Sequence, residues 1–161
     1  MNVERQYALL LEPLLGQAAG YARAILRDRQ NAQDAVQEAA LRGLERFHTF
    51  DAGRPSKGWW FAIVRNCCID TLRRLAATRT ESLDGIQLPH PPGPDTADWE
   101  NLTAAMENLS DSHREILRLR YFGDLSYREL AEALGIPDGT VMSRLHMARK
   151  ALQAQLGEEE S

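Results

Sequence analysis

Outside one segment, apolar positions along the chain recur at intervals of three and four. Tyr7, Leu11, Leu14, Ala18, Tyr21 and Ile25 follow that spacing, which puts them on one helical face. Pro13 has no backbone N–H, so the stretch should split into a short helix and a longer one. Asn31, with Asp34 three residues on, is the expected N-cap of a further helix carrying Val36, Ala40, Leu44 and Phe47. His48 to Lys57, with Gly53 and Pro55, reads as a loop. A long helix is predicted from about Ser56 to Ala76, carrying Trp60, Ile63, Val64, Cys67 and Leu72.

The periodicity fails over residues 78–98, which are acidic and contain Gly85, Pro89, Pro91, Pro92, Gly93 and Pro94. This composition predicts an extended linker between blocks 1–77 and 99–156, with 157–161 a frayed tail. Trp99, Leu102 and Met106 mark one helix of the second block. Ile116, Leu117 and Tyr121 mark another, ending at Gly123. Ser126-Tyr127-Arg128-Glu129 is a capping box with Leu125 and Leu130 at the staple positions. That helix ends at Gly135, and Val141, Leu145 and Leu152 line the last one. Two helices joined by a tight glycine turn predict a helix-turn-helix, with small Ala131 at the crossing and Ile136 and Val141 locking the second helix. The expected fold is all-α: two small helical domains joined by an acidic Pro-rich linker, the second ending in the helix-turn-helix.

Charge adds a location. The 161 residues carry a net −4, but residues 54–79 hold six basic side chains against Asp70 alone. A basic stretch in an acidic protein is where a polyanion would sit, although a solvated helix face has the same composition. No stretch of about 18 apolar residues is present, so no membrane span is expected. The start of the chain lacks the features of a signal peptide. Cys67 and Cys68 are adjacent and cannot bridge each other, which suits a reducing cytoplasm.

Catalytic candidates are poor. His48, His90, His113 and His146 are scattered without metal-ligand spacing, and no nucleophile elbow or phosphate-binding glycine loop occurs. Asp34 and Glu38 lie four apart on one helix face, but a solvated or partner-binding face explains them better than a metal. The expectation is a non-enzyme without cofactors.

Three motifs carry a resemblance. Asp34-Ala35-Val36-Gln37-Glu38, Gly58-Trp59-Trp60-Phe61-Ala62-Ile63-Val64-Arg65-Asn66 and Ile69-Asp70-Thr71-Leu72-Arg73-Arg74 resemble domain 2 of bacterial sigma factors. Leu109 to Leu152 resembles sigma domain 4, and the pair with a short linker is similar to the extracytoplasmic-function (ECF) subfamily. The resemblance implies an alternative sigma factor that directs core RNA polymerase to promoters, assists −10 melting and recognises the −35 element. It implies contacts to the polymerase β′ clamp and β flap, to promoter DNA, and to an anti-sigma factor. By the same resemblance, polymerase binding falls to Asp34, Gln37, Glu38, Leu41 and Glu45. The −10 strand falls to His48, Lys57, Trp59, Arg65, Asn66, Arg73 and Arg74: cations for phosphates, an aromatic for bases, an amide for base edges. The −35 duplex falls to Thr140, Met142, Ser143, Arg144, His146, Arg149 and Lys150 on the last helix. Met142 and Met147 depart from the basic residues common in relatives. The main rival is a stand-alone helix-turn-helix regulator of duplex DNA, which would need a ligand or phospho-acceptor domain in the first block.

Overall fold

Pro13 interrupts the first helical stretch as expected. The computed structural model describes residues 2–81 and 96–160, with side chains for 2–78 and 101–157. Helix α1 (Val3–Leu11) passes through a 3-10 turn, Glu12–Leu14, into α2 (Leu15–Leu26). Arg27 closes α2 in the left-handed region, φ 58°. That turn brings Asp28, not Asn31, to the N-cap of α3 (Arg29–Arg46). Its carboxylate accepts from the backbone N–H groups of Gln30 and Asn31 at 2.8 and 3.2 Å. The expected cap was one turn late because a left-handed residue other than glycine leaves little mark in a sequence.

A second 3-10 turn, Phe47–Thr49, leads through a loop to α4 (Ser56–Glu81). In the second block, α5 spans Thr96–Glu107, α6 Asp111–Tyr121, α7 Tyr127–Leu134 and α8 Asp138–Glu160. No strand occurs among the described residues. Helices α4 and α5 reach into the 78–98 segment from both sides, and residues 82–95 lie outside the described ones. The tail is helical to Glu160 rather than frayed.

Trp60, Phe61, Val64 and Cys68 are fully buried, as are Ile116, Leu117, Leu119, Leu125, Leu130, Val141 and Leu145. The two blocks share this core. Phe61 of α4 packs edge-on to Tyr21 of α2, ring centres 5.7 Å apart. It also reaches the α6–α7 turn: a Cβ on Gly123 would lie 3.0 Å from the Phe61 ring and 2.7 Å from the Leu119 carbonyl. At Gly58 the chains approach more closely still. A Cβ there would lie 2.6 Å from the Glu132 Cβ and 2.7 Å from the Glu129 carbonyl oxygen. So α4 crosses α7 at a glycine, and α2 packs on α6. Two expected core members face outward: Leu72 and Tyr121 are both exposed.

Candidate functional site

Helix α3 turns its alanines and Val36 inward, so its other face is turned to solvent. Asp34, Gln37, Leu41 and Glu45 are exposed and Glu38 is half-buried. Leu41 is 65% exposed, an apolar side chain set among acids and an amide. Asp34 accepts from the Gln30 amide at 2.9 Å. Glu38 is tied into a charge network with α4. Its carboxylate pairs with Arg42 at 2.8 Å and approaches Arg74 at 3.9 Å, while Arg42 also reaches Asp70 at 3.1 Å. These hydrogen bonds hold the Arg42 guanidinium above its ordinary pKa, Asp70 contributing most.

The residues expected at the −10 element do not share one face: those on α4 divide between an outer stripe, a side toward the second block and, at Arg74, a side toward α3, and His48 lies in the 3-10 turn. Trp59, Asn66 and Arg73 are seven apart and share a stripe. Asn66 and Arg73 are exposed. Trp59 is half-buried in an aromatic cluster with Phe50 and Phe47, at ring-centre distances of 5.1 and 6.1 Å. Phe47 continues the cluster to Tyr7 at 5.4 Å. His48 follows Phe47 in the 3-10 turn, its ring nitrogen 3.0 Å from the Glu45 carbonyl. Lys57 and Arg65 instead face the second block. Lys57 donates to the Asp124 carbonyl at 2.7 Å and Arg65 pairs with Glu115. Arg54, which the motifs did not single out, pairs with Glu132 at 2.6 Å, and Arg27 pairs with Glu107. A cleft of about 280 Å³ lies between the loop and the helix-turn-helix, lined by Arg54, Arg128, Glu132, Ile136 and Asp138.

The α2–α6 seam collects arginines. Burial pulls Arg118 down to about 10, with the Arg114 and Arg27 guanidiniums adding to the effect.

The helix-turn-helix forms as its residues require. Ser126 and Glu129 make the reciprocal capping box, and Gly135 closes α7 at φ 67°. Helix α8 buries Val141, Leu145, Ala148 and Leu152 and leaves two outer stripes. Met142, His146 and Arg149 form one, and Ser143, Met147 and Lys150 the other. Met142 is 60% exposed. Ser143 bonds back to the Thr140 carbonyl at 3.2 Å; Thr140 and Arg144 are half-buried. Arg149 donates to the hydroxyls of Tyr121 and Tyr127 at 3.3 and 3.5 Å. Sequence reasoning missed both tyrosines here, because Tyr121 falls on the apolar spacing of α6.

Residues 10–78 match Sigma-70 region 2, and residues 99–152 match Sigma-70, region 4. The chain is 36% identical over 145 residues to the ECF RNA polymerase sigma factor SigL of Mycobacterium tuberculosis, covering 86% of this chain and 81% of SigL. The chain belongs to the ECF subfamily of sigma-70 sigma factors. It is also 30% identical to the ECF sigma factor SigW of Bacillus subtilis, covering 82% of this chain and 79% of SigW. A co-crystal structure of the sigma factor RpoE with the anti-sigma factor NepR from Bartonella quintana superposes with a TM-score of 0.69, at 28% identity and 96% coverage of both chains. CnrH, solved with the cytosolic domain of CnrY, shares the fold: TM-score 0.73, 23% identity, 96% of this chain and 90% of that one. As an ECF sigma factor the chain is an alternative sigma factor that directs RNA polymerase to promoters. The match of the first block to region 2 disfavours the stand-alone regulator. Among the described residues no helix is long and apolar enough to cross a membrane.

Proposed function

We propose that the α3 face binds the β′ clamp of core polymerase, that the Trp59–Asn66–Arg73 stripe with His48, Lys57, Arg65 and Arg74 takes the unpaired −10 strand, and that the outer stripes of α8 read the −35 duplex, the second block docking on the β flap. The observation that carries it is Leu41, 65% exposed at the centre of the polar-acidic face. An apolar side chain so placed is an anchor for a partner helix, and the surrounding carboxylates suit an Arg-rich one. Its working place is the cytoplasm, with polymerase, and its role is promoter choice without catalysis.

Contact with both promoter elements carries a conformational requirement. The −10 and −35 elements lie about 25 bp apart, roughly 85 Å at 3.4 Å per base pair. A folded body of 161 residues has a radius of gyration of about 15 Å. The packed blocks cannot touch both elements at once, so they separate on the polymerase. Separation also frees Lys57 and Arg65 from Asp124 and Glu115. An anti-sigma partner that favours the packed form would keep the protein inactive; the related RpoE of Bartonella quintana was solved with the anti-sigma factor NepR.

The test is Leu41→Arg. Co-purification with core polymerase should fall at least tenfold while the helical circular-dichroism spectrum and melting temperature stay as in the parent. Unchanged association would remove α3 from the polymerase interface.

A further inference from the structure

Arg149 lies three turns into α8, on the stripe of Met142 and His146. Its Nε donates to the Tyr121 hydroxyl at 3.3 Å and its Nη1 to the Tyr127 hydroxyl at 3.5 Å. Tyr121 ends α6 and Tyr127 opens α7, so three elements meet at one guanidinium. Tyr127 is itself held: the Arg120 guanidinium lies 5.3 Å from its ring centre, and Arg120 also donates to the Leu125 carbonyl at 2.6 Å. Tyr121 is 52% exposed, too open to serve the core.

A guanidinium has five N–H donors in one plane. Here two of its nitrogens are engaged by hydroxyls, which restrains the plane and leaves Nη2 free to approach another acceptor. Each hydroxyl that accepts from Arg149 keeps its own proton, so it can donate in turn. Nη2 and the two hydroxyls are donors of the kind that bind DNA phosphates, and they belong to one hydrogen-bonded cluster. Two neutral acceptors neutralise none of the arginine's charge, unlike the carboxylates that hold Arg27, Arg54 and Arg65.

We propose that Tyr121 is a positioning residue that aims Arg149 at a backbone phosphate of the −35 duplex. This rests on the reading of α8 as the −35 helix. At 3.3 Å the Tyr121 bond steers the guanidinium, and the phosphate completes the arrangement.

The test uses holoenzyme assembled from this chain and the host's core polymerase, on a promoter duplex that the parent holoenzyme recovers from a randomised library. Tyr121→Phe keeps the ring and removes the hydroxyl. Arg149→Ala should weaken binding about tenfold and lower the salt slope by about 0.9, the value of one phosphate contact. Tyr121→Phe should weaken binding three- to tenfold, lower the same slope in part, and have no further effect in the Arg149→Ala background. Its melting temperature and core affinity should match the parent. Parental binding and slope in Tyr121→Phe, with Arg149→Ala impaired, would overturn the role of Tyr121 and leave the reading of α8 intact. Losses that add in the double variant, or a loss with unchanged slope, would also overturn it. Parental binding in Arg149→Ala, or recovery of no promoter, would count against the reading of α8 itself.

Discussion

Met142 stands 60% exposed one turn into α8, beside Ser143 and His146. A thioether cannot make the bidentate contact to guanine that arginine makes, worth roughly 1–3 kcal/mol of discrimination, but it can pack on a thymine methyl. The base pair facing it should therefore be read weakly or as thymine. Met142→Arg should shift the preference toward guanine at one −35 position in promoter-library transcription. If the new arginine meets a phosphate instead, affinity should rise for all sequences and the salt slope should steepen by about 0.9. A base profile and slope both unchanged would mean that the side chain points away from DNA. Cys68 has a different consequence. Burial pushes its thiol from 9.0 up to about 12, with Cys67 beside it adding to the rise. Between those values the native state keeps a proton that the unfolded chain loses, so stability falls as pH rises. For Cys68 the loss should be about 1.4 kcal/mol at pH 10. Urea unfolding at pH 7.5 and pH 10 checks this: Cys68→Ala should reduce the fall by about that amount, and an identical fall in both proteins would refute the assignment.

Among the elements, α7 shows how little length the recognition unit has to work with. Its eight residues are too few to hold a helix in isolation. Burial of Leu125 and Leu130 and the two capping bonds, 2.8 and 3.2 Å, hold it in place. Ser126→Ala removes one bond and leaves the Glu129 N–H without its partner. It should cost about 1 kcal/mol, lowering the melting temperature by about 2–4 °C. A calorimetric scan measures this, and an unchanged midpoint would mean that the staple alone fixes the helix start. The motif was legible because its determinants are local in sequence. The start of α3 was less so: the cap is Asp28 because Arg27 takes a left-handed turn, which the apolar spacing does not encode.

For the molecule as a whole, the crossing of α4 and α7 decides which residues are free. In an isolated helix Gly→Ala is stabilising by about 1 kcal/mol. At Gly58 the added Cβ would lie 2.6 Å from the Glu132 Cβ and 2.7 Å from the Glu129 carbonyl, so backbone must move. Gly58→Ala should therefore lower stability and raise the radius of gyration in small-angle scattering. A gain in stability at constant size would mean that the crossing has room. Lys57 and Arg65 show the same contrast between sequence and structure. Both are cations on the basic stretch, yet both are engaged across the seam, whereas Asn66 and Arg73 are exposed.

What the sequence by itself determined is whatever depends on near neighbours in the chain. The helices follow from three- and four-residue spacing, the break after α1 from Pro13, and the helix-turn-helix from its capping box and glycine turn. The resemblance to sigma factors was legible for the same reason, since its motifs are contiguous runs. Tertiary structure alone decided the rest. It set the Gly58 crossing and the shared core around Phe61, moved Tyr121 and Leu72 to the surface, and brought Tyr121, Tyr127 and Arg149 together. These contacts join residues from 22 to more than 60 positions apart, such as Arg149 with Tyr127 and Lys57 with the Asp124 carbonyl. Helical periodicity says which face of a helix is apolar, but not which distant helix will cover it. Only the packing of α4 on α7 and of α2 on α6 settles that.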